Sequence, residues 1–377
     1  MNNMKVLLNG SGLDELIKIG SLSAKAPFIR KHSALAVAAC LIFPLNDAMA
    51  NIEGYDFPFS EAYLIFVDNE QDVTSKSNDP NYVSDRENRP LFFWAKNGSF
   101  TLETVALAVY SPSYFQAGGE TTFTPLPTNA VQQGQPASLN LPQIVLGQSY
   151  LSKKEPNLFI NVIGSGNGDV SFNASTINAY SGQTNYISLY VDGGNLNNNN
   201  ETQLNVARSF NIVESNVQAS FVVKNSASVS VGAGTTSNST AQLNFSKEND
   251  RFLIENARNV SFAENLSFTN KVKSLAVMGE ISDQALIRNS NFSVGKTFLF
   301  GGSEYGDVRG TDNAFLQIIN DEGVNAEFNV GSLIIQAPDA GNKTSFLVGH
   351  GANLKTSSPV IIQAQKEGAT AQLLLGD

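Results

Sequence analysis

Cysteine and histidine are nearly missing from this chain. One cysteine, Cys40, and two histidines, His32 and His350, are spread over 377 residues. A single cysteine cannot build a disulfide framework, and zinc sites made of several His and Cys ligands are excluded on count alone. Charge is also sparse, at 15% of residues, with a net charge of −10. No basic cluster follows the first 50 residues, which argues against nucleic acid as a partner. No window of helical length carries an apolar stripe at a 3.6-residue period. What is abundant is hydrophobic surface, at 42%, interleaved with Gly, Asn and Ser. That is too apolar for a disordered chain and suits many short strands joined by tight turns.

Residues 1–50 stand apart as an extended signal peptide. Lys25, Arg30, Lys31 and His32 form a basic region, Ser33 to Leu45 is mostly apolar, and Ala48-Met49-Ala50 supplies a small-x-small cleavage site. The apolar run is too short for a stable membrane span. Cleavage after Ala50 removes Cys40 and leaves a more acidic, cysteine-free chain. Its stability must then come from backbone ladders and stacked side chains.

From Asp169 to Asp377 short alternating segments follow one another, with apolar residues two apart and Gly, Asn, Ser or Asp between them. They recur as longer units beginning FLIENARN at Phe252, ALIRNSN at Ala285, AFLQIIND at Ala314 and SFLVGHG at Ser345. Leu286, Leu316 and Phe346 recur at one spacing, with Leu253 before them and Leu373 after. One such unit cannot bury its own apolar face, but stacked units can. The expected fold is all-β: a right-handed parallel β-helix with three faces per coil and an irregular N-terminal cap region. Handedness follows from the crossover preference. A β-sandwich needs no repeat, and propeller blades run longer. Asn256, Asn259, Asn270, Asn289, Asn291 and Asn320 fall at strand ends. There an Asn takes a left-handed turn position or stacks its amide on the next coil. The sequons at Asn265 and Asn291 are assigned to the same turn chemistry.

Residues 51–168 differ. They hold the only Trp, Trp94, and blocks such as Pro90-Leu91-Phe92-Phe93-Trp94. Strands are expected at 62–67 and 158–163, and the polar run Val67 to Arg89 is expected to be a solvated loop. The region serves as a cap or as irregular first coils; a separate binding head is the alternative. The Asn197–Asn200 run is expected to be a loop.

Candidates for chemistry are few. His350, in Gly349-His350-Gly351, lies at a turn beside no acidic residue, and no G-x-S-x-G elbow accompanies it. Gly164–Asp169 leads into a strand, so it is a turn and no phosphate loop. Asp321-Glu322 and Glu304 with Asp307 are the carboxylate pairs that a polysaccharide-cleaving site would need, but no partner at a one-coil spacing is evident. Gly301-Gly302-Ser303-Glu304 does not complete a calcium-binding repeat. The expectation is no catalytic residue, no cofactor and no metal.

The extended signal, the cysteine-free mature chain and repeats such as Phe252–Asn270 resemble the signal and β-helical passenger of bacterial autotransporters (type V secretion). The resemblance covers the signal and roughly Asp169 to Asp377. It implies export through the periplasm to the cell surface, outer membrane or medium, and binding to host-cell or neighbouring bacterial surface molecules in an adhesin-like role. A toxin-like passenger and a polysaccharide-active β-helix enzyme are the alternatives. Members of that family carry a C-terminal export barrel, which is absent from this chain; the sequence stops just after AQLLLGD opens another unit.

Overall fold

The computed structural model describes residues 5–6, 41–44, 63–68, 70–76, 81–83, 91–109, 112–119, 135–146, 157–164, 166–179, 186–194, 199–213, 218–233, 240–245, 247, 250–271, 285–301 and 313–376. Among them there is no helix. Most of residues 1–50, with Cys40 and the expected cleavage site after Ala50, lies outside the described residues, as do Asn197, Asn198, Glu304 and Asp307. The strand Leu41–Pro44 pairs antiparallel with Tyr63–Val67.

From Tyr63 onward the chain is a parallel β-solenoid built on two ladders. The first ladder takes one strand from each coil. It starts with Tyr63–Val67, Leu91–Ala95 and Ser113–Gly118, and ends with Asn313–Ile319, Lys343–Val348 and Thr370–Leu375. The second ladder takes one long strand, such as Ala137–Leu146, Val170–Ala179 or Glu327–Ala337, or two short ones, such as Ser228–Val231 and Thr240–Phe245. The long strands bend partway. In Ala137–Leu146 the inward positions are Leu139 and Leu141 before the bend and Ile144 and Leu146 after it. Three faces per coil therefore arise from two ladders, because the bend shifts the two-residue period.

Inward side chains stack from coil to coil. Phe221 lies 5.4 Å from Phe252 of the next coil, and Phe252 meets Phe268 across its own coil at 4.5 Å, centroid to centroid. Phe292 stacks on Phe328 at 4.7 Å. Burying each ring contributes about 1.5–3 kcal/mol, and a good aromatic pair adds about 0.5–1.5 kcal/mol. The stacking between coils is not available to a lone coil, which explains why the repeat must stack.

The first ladder, up to its last strand, is largely buried on both sides. Opposite the inward Phe93 and Phe115 lie Phe92, Trp94 and Tyr114, all buried as well. Phe92 stacks on Tyr114 at 4.9 Å and Tyr114 on Phe159 at 4.3 Å, while the Trp94 Nε1–H donates to the Gly118 carbonyl at 2.9 Å. Further along, Tyr190, Val222, Leu253 and Leu286 form a separate outer apolar cluster. This explains the near-continuous apolar runs of these strands, where a half-buried strand would alternate.

Two expectations are corrected. Leu286 does not continue the column of Leu316, Phe346 and Leu373. Leu286 pairs with Gln317 and faces outward, while Leu316, Phe346 and Leu373 are in register and face the core. A shift of one residue turns a side chain to the other face of the sheet. The polar stretch after Val67 is not simply a loop: Gln71–Lys76 and Asn81–Val83 are strands paired to Gly98–Glu103 and Ala106–Val109. In Gln71–Lys76 only Val73 is apolar among the inward positions, so the period was invisible.

The turn from the first ladder to the second is set by asparagine. Asn225, Asn256 and Asn289 have φ of 54°, 51° and 51°, a left-handed conformation that Asn tolerates better than most residues. Asn289 Nδ2 donates to Asn256 Oδ1 at 3.0 Å and to Asp321 Oδ2 at 2.7 Å, and Asn225 Nδ2 donates to Asp192 Oδ1 at 2.9 Å. The outer ends of the first-ladder strands carry Asp192, Lys224, Glu255 and Arg288 in register, so opposite charges alternate up the column. These partly exposed pairs each contribute at most about 1 kcal/mol; their use is to favour one register. Asn270, Asn291 and Asn320 also bond across coils. At the two sequons, Asn265 Oδ1 accepts the Thr297 N–H and Asn291 Oδ1 accepts the Glu327 N–H.

Two predictions follow from this geometry. Asn289→Gly keeps the left-handed turn but removes the amide, whereas Asn289→Ala removes both. Chemical denaturation is expected to show both variants destabilised, with Ala the worse by about 0.5–1 kcal/mol. The second concerns Asp250, a buried carboxylate where the chain re-enters the first ladder. Its Oδ1 accepts the Ala219 N–H at 2.7 Å and its Oδ2 the Lys247 N–H at 2.8 Å. Burial pushes its carboxyl up to about 7, against those donors and the Lys247 charge. The folded state thus holds a proton that the unfolded state has already lost. Stability is expected to fall as pH rises from about 4 to 7 and then to level off, by up to a few kcal/mol. Thermal unfolding across this range is expected to show a smaller decline in Asp250→Asn, which mimics the protonated acid.

Candidate functional site

The outer side of the second ladder, before its bend, is a regular surface. Register places Thr74, Thr101, Asn140, Asn173 and Asn205 in one column. The column continues through Ser230, Ser261, Ser293 and Asn329 to Lys355. Every member before Lys355 is a small, neutral, polar residue. A neighbouring column two residues earlier holds Ser99, Ser138, Ser171, Gln203, Ser228 and Asn259. The reason is local: outward positions of a paired strand meet solvent, and Thr, Ser and Asn side chains also bond along the column. Asn140 Nδ2 donates to Thr101 Oγ1 at 3.1 Å, Asn173 Nδ2 to Asn140 Oδ1 at 2.8 Å, and Asn205 Nδ2 to Asn173 Oδ1 at 2.9 Å. The Ser138 and Ser171 hydroxyls are 2.9 Å apart.

Beside this column, at the bend, runs a trough. One stretch of about 320 Å³ extends from Asn140 and Ser175 to Ser230 and Ala233. A second, of about 580 Å³, starts at the same Ser230 and Ala233 and extends to Lys355 and Ser357. Bend positions along it are small: Ser175, Ala207, Ala233, Ala263, Gly295 and Gly331. Close approach of the coils requires glycine at two of them. A Cβ on Gly295 would sit 2.1 Å from the Ala263 carbonyl oxygen, and one on Gly331 2.3 Å from that of Lys296. Among the lining residues Lys355 alone is charged, and it pairs with Glu327. Glu327 is held below the usual carboxylate range by that hydrogen bond and by one from Asn329.

The residues weighed for chemistry do not gather here. His350 is exposed at a turn. In space it is near Asp321, although no acidic residue adjoins it in sequence. Asp321 is held well below the usual carboxylate range by hydrogen bonds from Asn289 and Arg288. Both of its oxygens accept from Arg288 Nε and Nη2, at 2.9–3.2 Å. A carboxylate so held is a poor proton donor at neutral pH. Glu322 is exposed beside it. Gly164 sits at a turn, where a Cβ would meet the Gly193 carbonyl oxygen at 2.5 Å, and Asp169 Oδ1 accepts the Glu201 N–H of the next coil at 2.7 Å. Among the described residues no three His, Cys, Asp or Glu side chains could together hold a metal ion. The trough and its polar column were missed in the sequence. The signal that could have found them is the recurrence of Ser-x-Asn and Ser-x-Ser in aligned units.

Gly295→Val is expected to cost about 1–3 kcal/mol in denaturant unfolding, through its contact with the Ala263 carbonyl, whereas a Val at the exposed Ala233 is expected to change stability little. No family model matches the chain, and neither a curated protein nor a solved structure matches it.

Proposed function

We propose that this chain is an exported, non-enzymatic surface passenger of the autotransporter kind, which binds host-cell or neighbouring bacterial surface molecules. The observation that carries the reading is the column of neutral polar side chains from Thr74 to Asn329, repeated coil after coil beside the trough. Such an array presents one chemistry many times at fixed spacing. Many weak contacts in series give avidity, which is what adhesion to a cell surface needs. The long stacked core holds the array rigid, so little ordering cost is left for the moment of binding. The signal-like segment 1–50 and the cysteine-free remainder fit passage across two membranes. The lack of disulfides is supplied for by the inter-coil hydrogen bonds and stacked rings.

Beads coated with the purified chain are expected to adhere to bacterial or host cells, and beads carrying Asn205→Lys with Ser261→Lys are expected to lose most of that adherence. Equal adherence of the two would contradict a role for this face. In a Gram-negative host the exported product is expected to begin at Asn51; an intact N-terminus in the cytoplasm would contradict the export route.

A further inference from the structure

We infer that the trough at the bend of the second ladder binds a linear, uncharged polysaccharide laid along the solenoid axis. This rests on the binding role proposed above and names its ligand class.

Shape comes first. The two stretches of trough share Ser230 and Ala233 and so form one path. That path crosses eight coils, from the strand of Asn140 to the strand of Lys355. At a strand spacing of about 4.8 Å it is roughly 34 Å long. A long, open, narrow path suits a polymer better than a compact metabolite, which would sit in a closed pocket.

Periodicity comes second. The coil-to-coil step is close to the advance of one sugar in an extended hexose chain. A glycan along the axis therefore meets the same side chain type at nearly every sugar. An extended peptide has a different repeat. It also needs an open sheet edge for its backbone, and here each strand between the ends is paired on both sides, as Ser261 is between Ser230 and Ser293.

Chemistry comes third. The wall offers amides and hydroxyls, which both donate and accept, as sugar hydroxyls do. An amide in the column has two N–H donors and a carbonyl acceptor, so spending one N–H on its neighbour leaves capacity for a ligand. The small bend residues leave room for a sugar ring, and the methyl groups of Ala207, Ala233 and Ala263 face it with apolar surface; all three are exposed. Charge decides between glycan classes. With Lys355 paired to Glu327, the lining has no free cation for uronate, sulfate or phosphate groups. The net charge of −10 repels polyanions as well.

The test is calorimetric titration of the full chain with three neutral oligosaccharide series, β-1,4-glucan, β-1,3-glucan and α-1,4-glucan, from two to eight sugars, with oligogalacturonate as the acidic comparison. At least one neutral series is expected to bind more tightly with each added sugar, several-fold per step, until the trough is filled. Ala233→Tyr, at an exposed position where the two stretches meet, is expected to weaken the longest oligomer at least tenfold with the thermal unfolding curve unchanged. Binding by none of the neutral series would overturn the inference. So would affinity independent of length and of Ala233→Tyr, or tighter binding of oligogalacturonate. Bead adherence without oligosaccharide binding would sink the glycan assignment alone; oligosaccharide binding without adherence would sink the adhesive role alone.

Discussion

Parallel pairing between one coil and the next is the interaction on which everything else here depends. Each strand of a coil satisfies its backbone on the coils above and below, and the same register that aligns the backbone aligns the side chains. Phe221, Phe252 and Phe268 meet inside because their strands are in register or lie across one coil. Asn140, Asn173 and Asn205 meet outside for the same reason. Stability is then a sum of repeated interfaces between neighbours, which no disulfide supplements after position 50.

The same register turns a single residue choice into a long feature. Asparagine at a left-handed turn is an ordinary local solution. Repeated at Asn225, Asn256 and Asn289 it lets amides bond from coil to coil where loops would otherwise diverge. Small residues at the bend become a trough because Ala233, Ala263, Gly295 and Gly331 fall on consecutive coils. Alternating Asp192, Lys224, Glu255 and Arg288 become a charge column in which each neighbour attracts the next. A surface of this type suits a ligand that is itself repetitive.

Much of the fold was legible because strand burial leaves a two-residue period and stacking leaves a unit length. Val170–Asn173 carries the first signal and the units from Phe252 onward carry the second, and both lie in strands of the solenoid. Where the period failed, the reason was physical. In Gln71–Lys76 a single inward Val was too little pattern. In Leu91–Ala95 burial on both sides erased the alternation. Around Leu286 the unit length differs by one residue from the next, so equal spacing to Leu316 pointed to a column that does not exist. The turn asparagines were readable, because Asn256 and Asn289 combine turn propensity with repeat spacing. The trough was not, because Ala and Gly at the bend are unremarkable until the register of several distant segments is known.

The stacking itself can be measured most directly by pulsed dipolar spectroscopy on spin-label pairs in a Cys40→Ser background. Thr101 would be labelled in turn with Ser230, Ser261 and Ser293, which lie on successive coils of one column. A solenoid in this register predicts that the mean distance grows by about 4.8 Å with each coil. Distances that stay constant, or that shorten from Ser230 to Ser293, would contradict it.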